Sequence, residues 1–272
     1  MLKLAVIGAG TLTGRELVAA LEARECSVLP LAAGPLSVAE EAGELVMFAP
    51  EAALLEDIEL VILAETPSAA DLLAGYRGRI LDLRRDADPS LEPMPLAGPW
   101  PQGHTRLLGR PALEQVLAIV PQLVEGVGEA ACTHLQSVAH LGDRGVDGLM
   151  EQTAAILRGE DPDTVKLGYR AAFEVVPGPP RGRMITVQVP AFHGDLLILH
   201  LKAAEGRTLA RLDAPQAVEW RDRPPTSREV AVSPFLLAHF APAEEGRAGI
   251  LTLGFDPILW GVLMPILRLL EL

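Results

Sequence analysis

Along the first third of the chain, short apolar runs alternate with stretches of helical spacing. Leu2 to Ile7 is an apolar, β-forming run that stops at Gly8-Ala9-Gly10, and from Arg15 to Glu22 the residues Leu17, Val18 and Leu21 fall on one face of a helix. Cys26 to Leu31, Leu60 to Ala64 and Arg79 to Leu83 repeat the apolar run, each with the near-continuous hydrophobicity of a strand covered on both faces. Alternation of this kind predicts an α/β fold with a Rossmann-like doubly wound parallel sheet.

The pattern then changes. Asp88 to Pro101 holds Pro89, Pro93, Pro95, Pro99 and Pro101, which excludes regular helix or central strand and reads as a segment crossing to a second lobe. Leu113 to Leu123 has helical spacing, Ala130 to Ala139 reads as strand, and Gly145 to Arg158 sets Val146, Leu149, Met150, Ala154 and Leu157 at a helical period. Met184 to Ala191 and Leu196 to Ala203 read as long antiparallel strands around His193-Gly194-Asp195. After a loop at Pro224-Pro225, Gly249 to Gly254 forms a last strand and Pro257 to Leu272 a terminal helix.

Composition refines this outline. A hydrophobic share of 49% and a mean hydropathy of +0.27 are rich for 272 residues, so apolar surface is expected to be buried between subunits. The formal charge of −13 repels a phosphate backbone, which argues against nucleic acid as a partner. Cys26 and Cys132 are the only cysteines and no signal-like leader is evident, so both are expected as reduced thiols in a bacterial-type cytoplasm. Pro257 to Leu270 is shorter than the ~20 residues of a membrane span and contains Pro265, so a buried helix is expected there.

Four segments in order carry a resemblance: VIGAGTLTGRELV (6 to 18), SVAHLGDRGVDGLMEQTAAILRGE (137 to 160), FEVVPG (173 to 178) and VQVPAFHGD (187 to 195). Together they resemble the aspartate-semialdehyde dehydrogenases. The resemblance implies a Rossmann domain over 1–112 with 254–272, and an α+β dimerisation domain with a mixed or antiparallel sheet over 113–253. It also implies a homodimer. The latter domain is shortened, because only Gly178 to Met184 joins two segments that the family separates by a helix-bearing insertion.

The family's phosphate loop, G-x-T-G-x-V-G, corresponds here to Gly8, Ala9, Gly10, Thr11, Leu12, Thr13 and Gly14. Thr11 stands where a glycine lets backbone approach a pyrophosphate. Two readings stay open: a doubtful dinucleotide site at Gly8, Thr11, Leu12, Thr13 and Gly14, or a strand-to-helix turn shaped by Gly8 and Gly14. Where the family meets a 2′-phosphate with Ser and basic residues, this chain offers Ser37 among Glu40, Glu41 and Glu44, so no cofactor or weak NAD(P) binding is expected, with NAD favoured over NADP.

Departures from the family's catalytic pattern are sharper. Its Asn-Cys motif falls on Gly109-Arg110-Pro111-Ala112-Leu113-Glu114, which lacks cysteine. Matching VQVPAFHGD to R-V-P-V-x-x-G-H sets Gln188 at the substrate arginine and Asp195 at the catalytic histidine, and Gln136 matches the active-site glutamine. An aspartate at 195 adds negative charge beside an anionic substrate. His193, one position early, reads as a partly exposed loop histidine. The last helix retains Asp256 and Gly261 of the family's D-N-x-R-K-G-A. These departures resemble a degenerate, Usg-type paralogue serving as dimeric scaffold or binding module. An active NAD(P)-dependent semialdehyde dehydrogenase and a small-molecule sensor are the alternatives, and no metal site is expected.

Overall fold

The computed structural model describes residues 2–34, 45–64, 72–84, 86–95, 99–215 and 217–271. The chain divides into two compact units, Met1–Ala112 with Gly261–Leu272, and Leu113–Trp260. Residues 254 to 260 fall in the second unit, because Gly254 and Phe255 complete its last strand.

In the first unit, β1 (Lys3–Ile7), β2 (Ser27–Leu31), β3 (Leu60–Leu63), β4 (Arg79–Asp82) and β5 (Arg106–Leu108) form a parallel sheet in the order β2-β1-β3-β4-β5. Outside β2, Phe48 makes a single parallel bridge to Leu31, donating to the Pro30 carbonyl and accepting from Ala32. This one residue occupies the outer-strand place of the Rossmann order 3-2-1-4-5-6. Ser37, Glu40, Glu41 and Glu44 lie outside the described residues. The middle of the sheet is apolar and buried; Ala5, Ile7, Leu31, Val61 and Leu63 form one cluster with Leu55.

The proline-rich segment does not cross between units. Leu108 donates to the Glu92 carbonyl, Met94 donates to that of Leu108, and Pro93 bridges Leu108, so the described part runs beside β5. Proline is tolerated at such an edge because no further strand needs its missing amide. The crossing comes instead at the start of α2 (Ala112–Ile119).

The second unit is built on a seven-stranded mixed sheet in the order β12-β13-β14-β10-β7-β9-β8. Its strands are β7 (Val127–Gln136), β8 (Val176–Pro177), β9 (Met184–Gln188), β10 (Asp195–Ala203), β12 (Val218–Trp220), β13 (Leu236–Ala243) and β14 (Ala248–Phe255). A small pair, β6 (Val124–Glu125) with β11 (Ala210–Arg211), lies apart from it. β9 and β10 are not paired with each other. β7 stands between them, parallel to β9 and antiparallel to β10, because the connection 189–194 passes over the end of β7, where Val138 and Ala139 donate to the Ala191 and Phe192 carbonyls.

Strand periodicity sorts the apolar residues of β10 between its two faces. Leu197, Leu199 and Leu201 are all buried on one face of β10, while Leu196 and Ile198 are half-buried and His200 is exposed on the other. α4 (Ser227–Val230), closed by a Thr226–Glu229 capping box, covers only part of the second face: Val230 packs over Gly254 beside Leu196.

In α3 (Asp143–Leu157) the inward face is Gly145, Gly148, Leu149, Gln152 and Ala155, whereas Met150 and Leu157 are exposed. Glycine at 148 is required because a Cβ there would lie 2.8 Å from Leu167. Gln152, 1% exposed, clamps the following loop: its amide donates to the Asp163 and Tyr169 carbonyls, and its oxygen accepts from Ala171 and Ala172. The terminal helix begins at Pro257, widens into a π turn over Leu259–Leu263 and continues as α5 (Met264–Leu269). Pro265 has no amide hydrogen with which to continue an α ladder, and the wider turn precedes it. Among the described residues no helix is long and apolar enough to cross a membrane.

Replacing Gln152 with Leu leaves two backbone amides and two carbonyls without their partner in a buried setting. We expect a loss of about 2 to 4 kcal/mol, read as a lower urea midpoint at unchanged slope.

Candidate functional site

Ligands of doubly wound sheets bind beyond the carboxyl ends of the strands. In the first unit that edge carries the glycine loop between β1 and α1 (Leu12–Glu22). Gly8 turns with φ +86°, and a Cβ on Gly14 would lie 2.1 Å from the Gly8 carbonyl oxygen, so both glycines are dictated by the turn itself. Thr11 is the N-cap of α1. Its hydroxyl donates to the Gly8 carbonyl at 2.8 Å and accepts from the Gly14 amide at 3.1 Å. The Arg15 guanidinium donates to the Gly10 carbonyl, and a Cβ on Gly10 would lie 3.1 Å from the Met47 sulfur. The Gly14 amide is therefore engaged and Gly10 is covered. Thr11 thus caps α1 from within the turn, with Leu12 and Thr13 following it in the first turn of the helix.

At the end of β4 the side chain of Asp82 is fully buried and receives four charged or backbone donors. Arg84 grips it through Nε and Nη2, both at 2.8 Å, and through its amide at 3.3 Å; Arg106 Nη2 lies at 2.8 Å. Burial alone would raise this carboxyl, and the bonds from Arg84 and Arg106 outweigh it and hold the group below the ordinary carboxylate range. A carboxyl depressed in the folded state adds stability that is present above its unfolded value, about 3.9, and is lost as pH falls through the folded value. In acid titrations followed by circular dichroism, wild type should lose stability steadily below about pH 4, and Asp82→Asn should lack that component while being less stable at pH 7.

In the second unit the ends of β7 and β9 bring several of the sequence's candidates together. Gln136 and Gln188 are paired in register, and Gln188 Nε2 donates to Gln136 Oε1 at 2.7 Å. Gln188 Oε1 is buried without a hydrogen-bond partner among the described residues. Asp195 does not join them. It is 2% exposed, and its carboxylate accepts from the Ser137 amide at 2.8 Å, the Ser137 hydroxyl at 2.6 Å and His134 Nε2 at 2.8 Å. The His134 ring stacks on Phe255 with centroids 6.0 Å apart. Asp195 therefore adds no charge at a substrate surface, contrary to its reading from sequence; its charge is spent on internal donors. His193 is a partly exposed loop histidine, as its sequence position suggests. Its Nδ1 donates to Asp256 Oδ2 at 3.0 Å, and Asp256 Oδ1 accepts from the amides of Ile258 and Leu259, both at 2.9 Å.

Neither the His134–Asp195–Ser137 network nor the His193–Asp256 pair was evident from the residues alone. The available signals were Ser137, opening the second resembling segment, and Asp256, retained from the motif that opens the family's last helix.

The fold is similar to that of several solved structures. Aspartate semialdehyde dehydrogenase II of Vibrio cholerae aligns at 14% identity with a TM-score of 0.76, covering 99% of this chain and 97% of that one. The same enzyme complexed with ASA aligns at 16% identity and a TM-score of 0.75, covering 100% and 97%. The Francisella tularensis enzyme aligns at 14% and 0.74, covering 100% and 99%. This is the aspartate-semialdehyde dehydrogenase fold. No family model and no curated protein sequence matches the chain.

Within this aspartate-semialdehyde dehydrogenase fold, the stretch Gly109 to Glu114 contains the start of α2 at Ala112. A Cβ on Gly261 would lie 2.8 Å from that of Ala112, so the two residues meet closely. Both thiols are unactivated. Burial pushes Cys132, in the body of β7, up to about 11, and raises Cys26. Among the described residues no group of three His, Cys, Asp or Glu side chains could hold a metal ion.

Proposed function

We propose that the chain is a catalytically silent relative of the aspartate-semialdehyde dehydrogenases that acts as a dimeric scaffold or binding module. The observation that carries this reading is the state of its thiols: acyl transfer through sulfur needs a thiolate, and at neutral pH a thiol with a pKa near 11 is ionised in roughly one molecule in ten thousand. The paired carboxamides of Gln136 and Gln188 add support, being unable to make the charged bidentate grip that holds a carboxylate. With phosphate, NADP and aspartate semialdehyde, purified protein should give no reduction above a protein-free control. Turnover abolished by Cys132→Ala would overturn the proposal. The closed turn at Thr11 supports weak dinucleotide binding at most, and NADPH should bind no better than NADH by calorimetry.

A second reading, an active dehydrogenase with relocated acid/base chemistry, is favoured by one observation. His193 is half-buried, oriented by Asp256, and lies in the segment that resembles the family's histidine loop. If turnover were found, its loss in His193→Gln with binding retained would select this alternative.

The sheet of the second unit supports the dimer. Ile198 and His200 share a face with the exposed Ile185 and Ile250, and a second copy is the cover we assign to it. A charge at the centre of such an interface costs several kcal/mol. Ile250→Asp should give folded monomers, whereas Leu199→Asp, on the covered face, should fail to fold. Wild type running as a stable 29.0 kDa monomer at micromolar concentration in light scattering would exclude the dimer.

A further inference from the structure

On the opposite edge of the first unit's sheet, at the amino ends of β3 and β4, lies a cavity of about 340 Å³ that nothing in the preceding reading uses. This is within the size range of small-molecule sites. Its apolar wall is Leu55, Ile58 and Leu72. Tyr76 fixes one side. The phenol donates to the Ile58 carbonyl at 3.0 Å, and the ring lies so close over residue 78 that a Cβ there would fall 2.2 Å from the hydroxyl oxygen, which is why Gly78 is glycine. Burial pushes the Tyr76 hydroxyl up to about 12, so the wall stays neutral.

Two exposed charges of opposite sign, Glu56 and Arg77, also line the cavity, and neither makes an ion pair among the described residues. Between the apolar wall and Arg77 the backbone turns at Gly75 with φ +87°, where nothing lies within 4 Å of a Cβ position. The amides of Gly75 and Arg77 make no hydrogen bond among the described residues. The cavity thus offers a cation for an anion, a carboxylate for a cation, and an apolar wall for a short aliphatic group. We propose that the first unit binds a small apolar α-amino acid here, its carboxylate at Arg77 and the Gly75 turn, its ammonium at Glu56, and its side chain against Leu55, Ile58 and Leu72. This site is independent of whether the chain turns over a substrate.

The test uses the full chain, isotope-labelled for amide NMR, with L-leucine as probe and two analogues each lacking one charge, 4-methylpentanoate and 3-methylbutylamine. L-Leucine should shift the Gly75, Arg77 and Gly78 amides saturably, and each analogue should bind at least about tenfold more weakly. Arg77→Gln and Glu56→Gln, both at exposed positions and checked for folding by circular dichroism, should each weaken leucine about tenfold. No saturable shift up to about 20 mM leucine, a far weaker affinity than a built site gives, would overturn the proposal. So would equal binding of all three probes, or leucine binding unchanged in both variants.

Discussion

A carboxylate cannot be buried without donors, and the second unit is arranged around meeting that requirement at Asp195. Two donors come from Ser137, just past the end of β7, and one from His134 within it. Asp195 opens β10, so these bonds pin the beginning of one strand to the end of its neighbour. The loop that leads into Asp195 then has to pass over β7. That passage separates β9 from β10, sets Gln188 beside Gln136, and delivers His193 to Asp256. One buried charge thereby organises Gln136, Gln188 and His193 at one end of the sheet, while itself facing only internal donors.

What could be read in advance divides along the lines of chain locality. Strands of the parallel sheet carry continuous apolar runs, and a glycine whose Cβ would strike a carbonyl, as at Gly14, announces its turn in the residue itself. Both are local signals. Which neighbour a strand chooses is not local: β9 and β10 are close in sequence and apolar alike, and only the crossing over β7 decides that they stay apart. Polar pairs formed across 58 to 63 residues, as at Asp195 and Asp256, leave no periodic trace. Thr11 shows a subtler limit, since its β-branched side chain suggests obstruction whereas its hydroxyl serves the helix as a cap.

The period of two along β10 bears on assembly in the same way. Leu197 and Leu199 are separated by one full period and must share a face, so both are spent on the internal core. The outward face has to be sought at Ile198 and His200. On α3 a similar shift occurs: Gly145 and Gly148 face inward because close packing admits no side chain, and this rotates Met150 and Leu157 to the surface although both are apolar. Apolar residues on a regular element therefore mark candidate faces, and close approach by small residues decides which face is turned inward.

The protonated thiols have a consequence for the chemistry of handling and storage. Peroxide and disulfide reagents attack the thiolate, and burial raises both Cys26 and Cys132 away from that form, in two separate folded units. Cysteines in this state resist sulfenic acid formation and mixed disulfides while the protein is folded. The two thiols should therefore oxidise more slowly in the folded chain than after a unit opens.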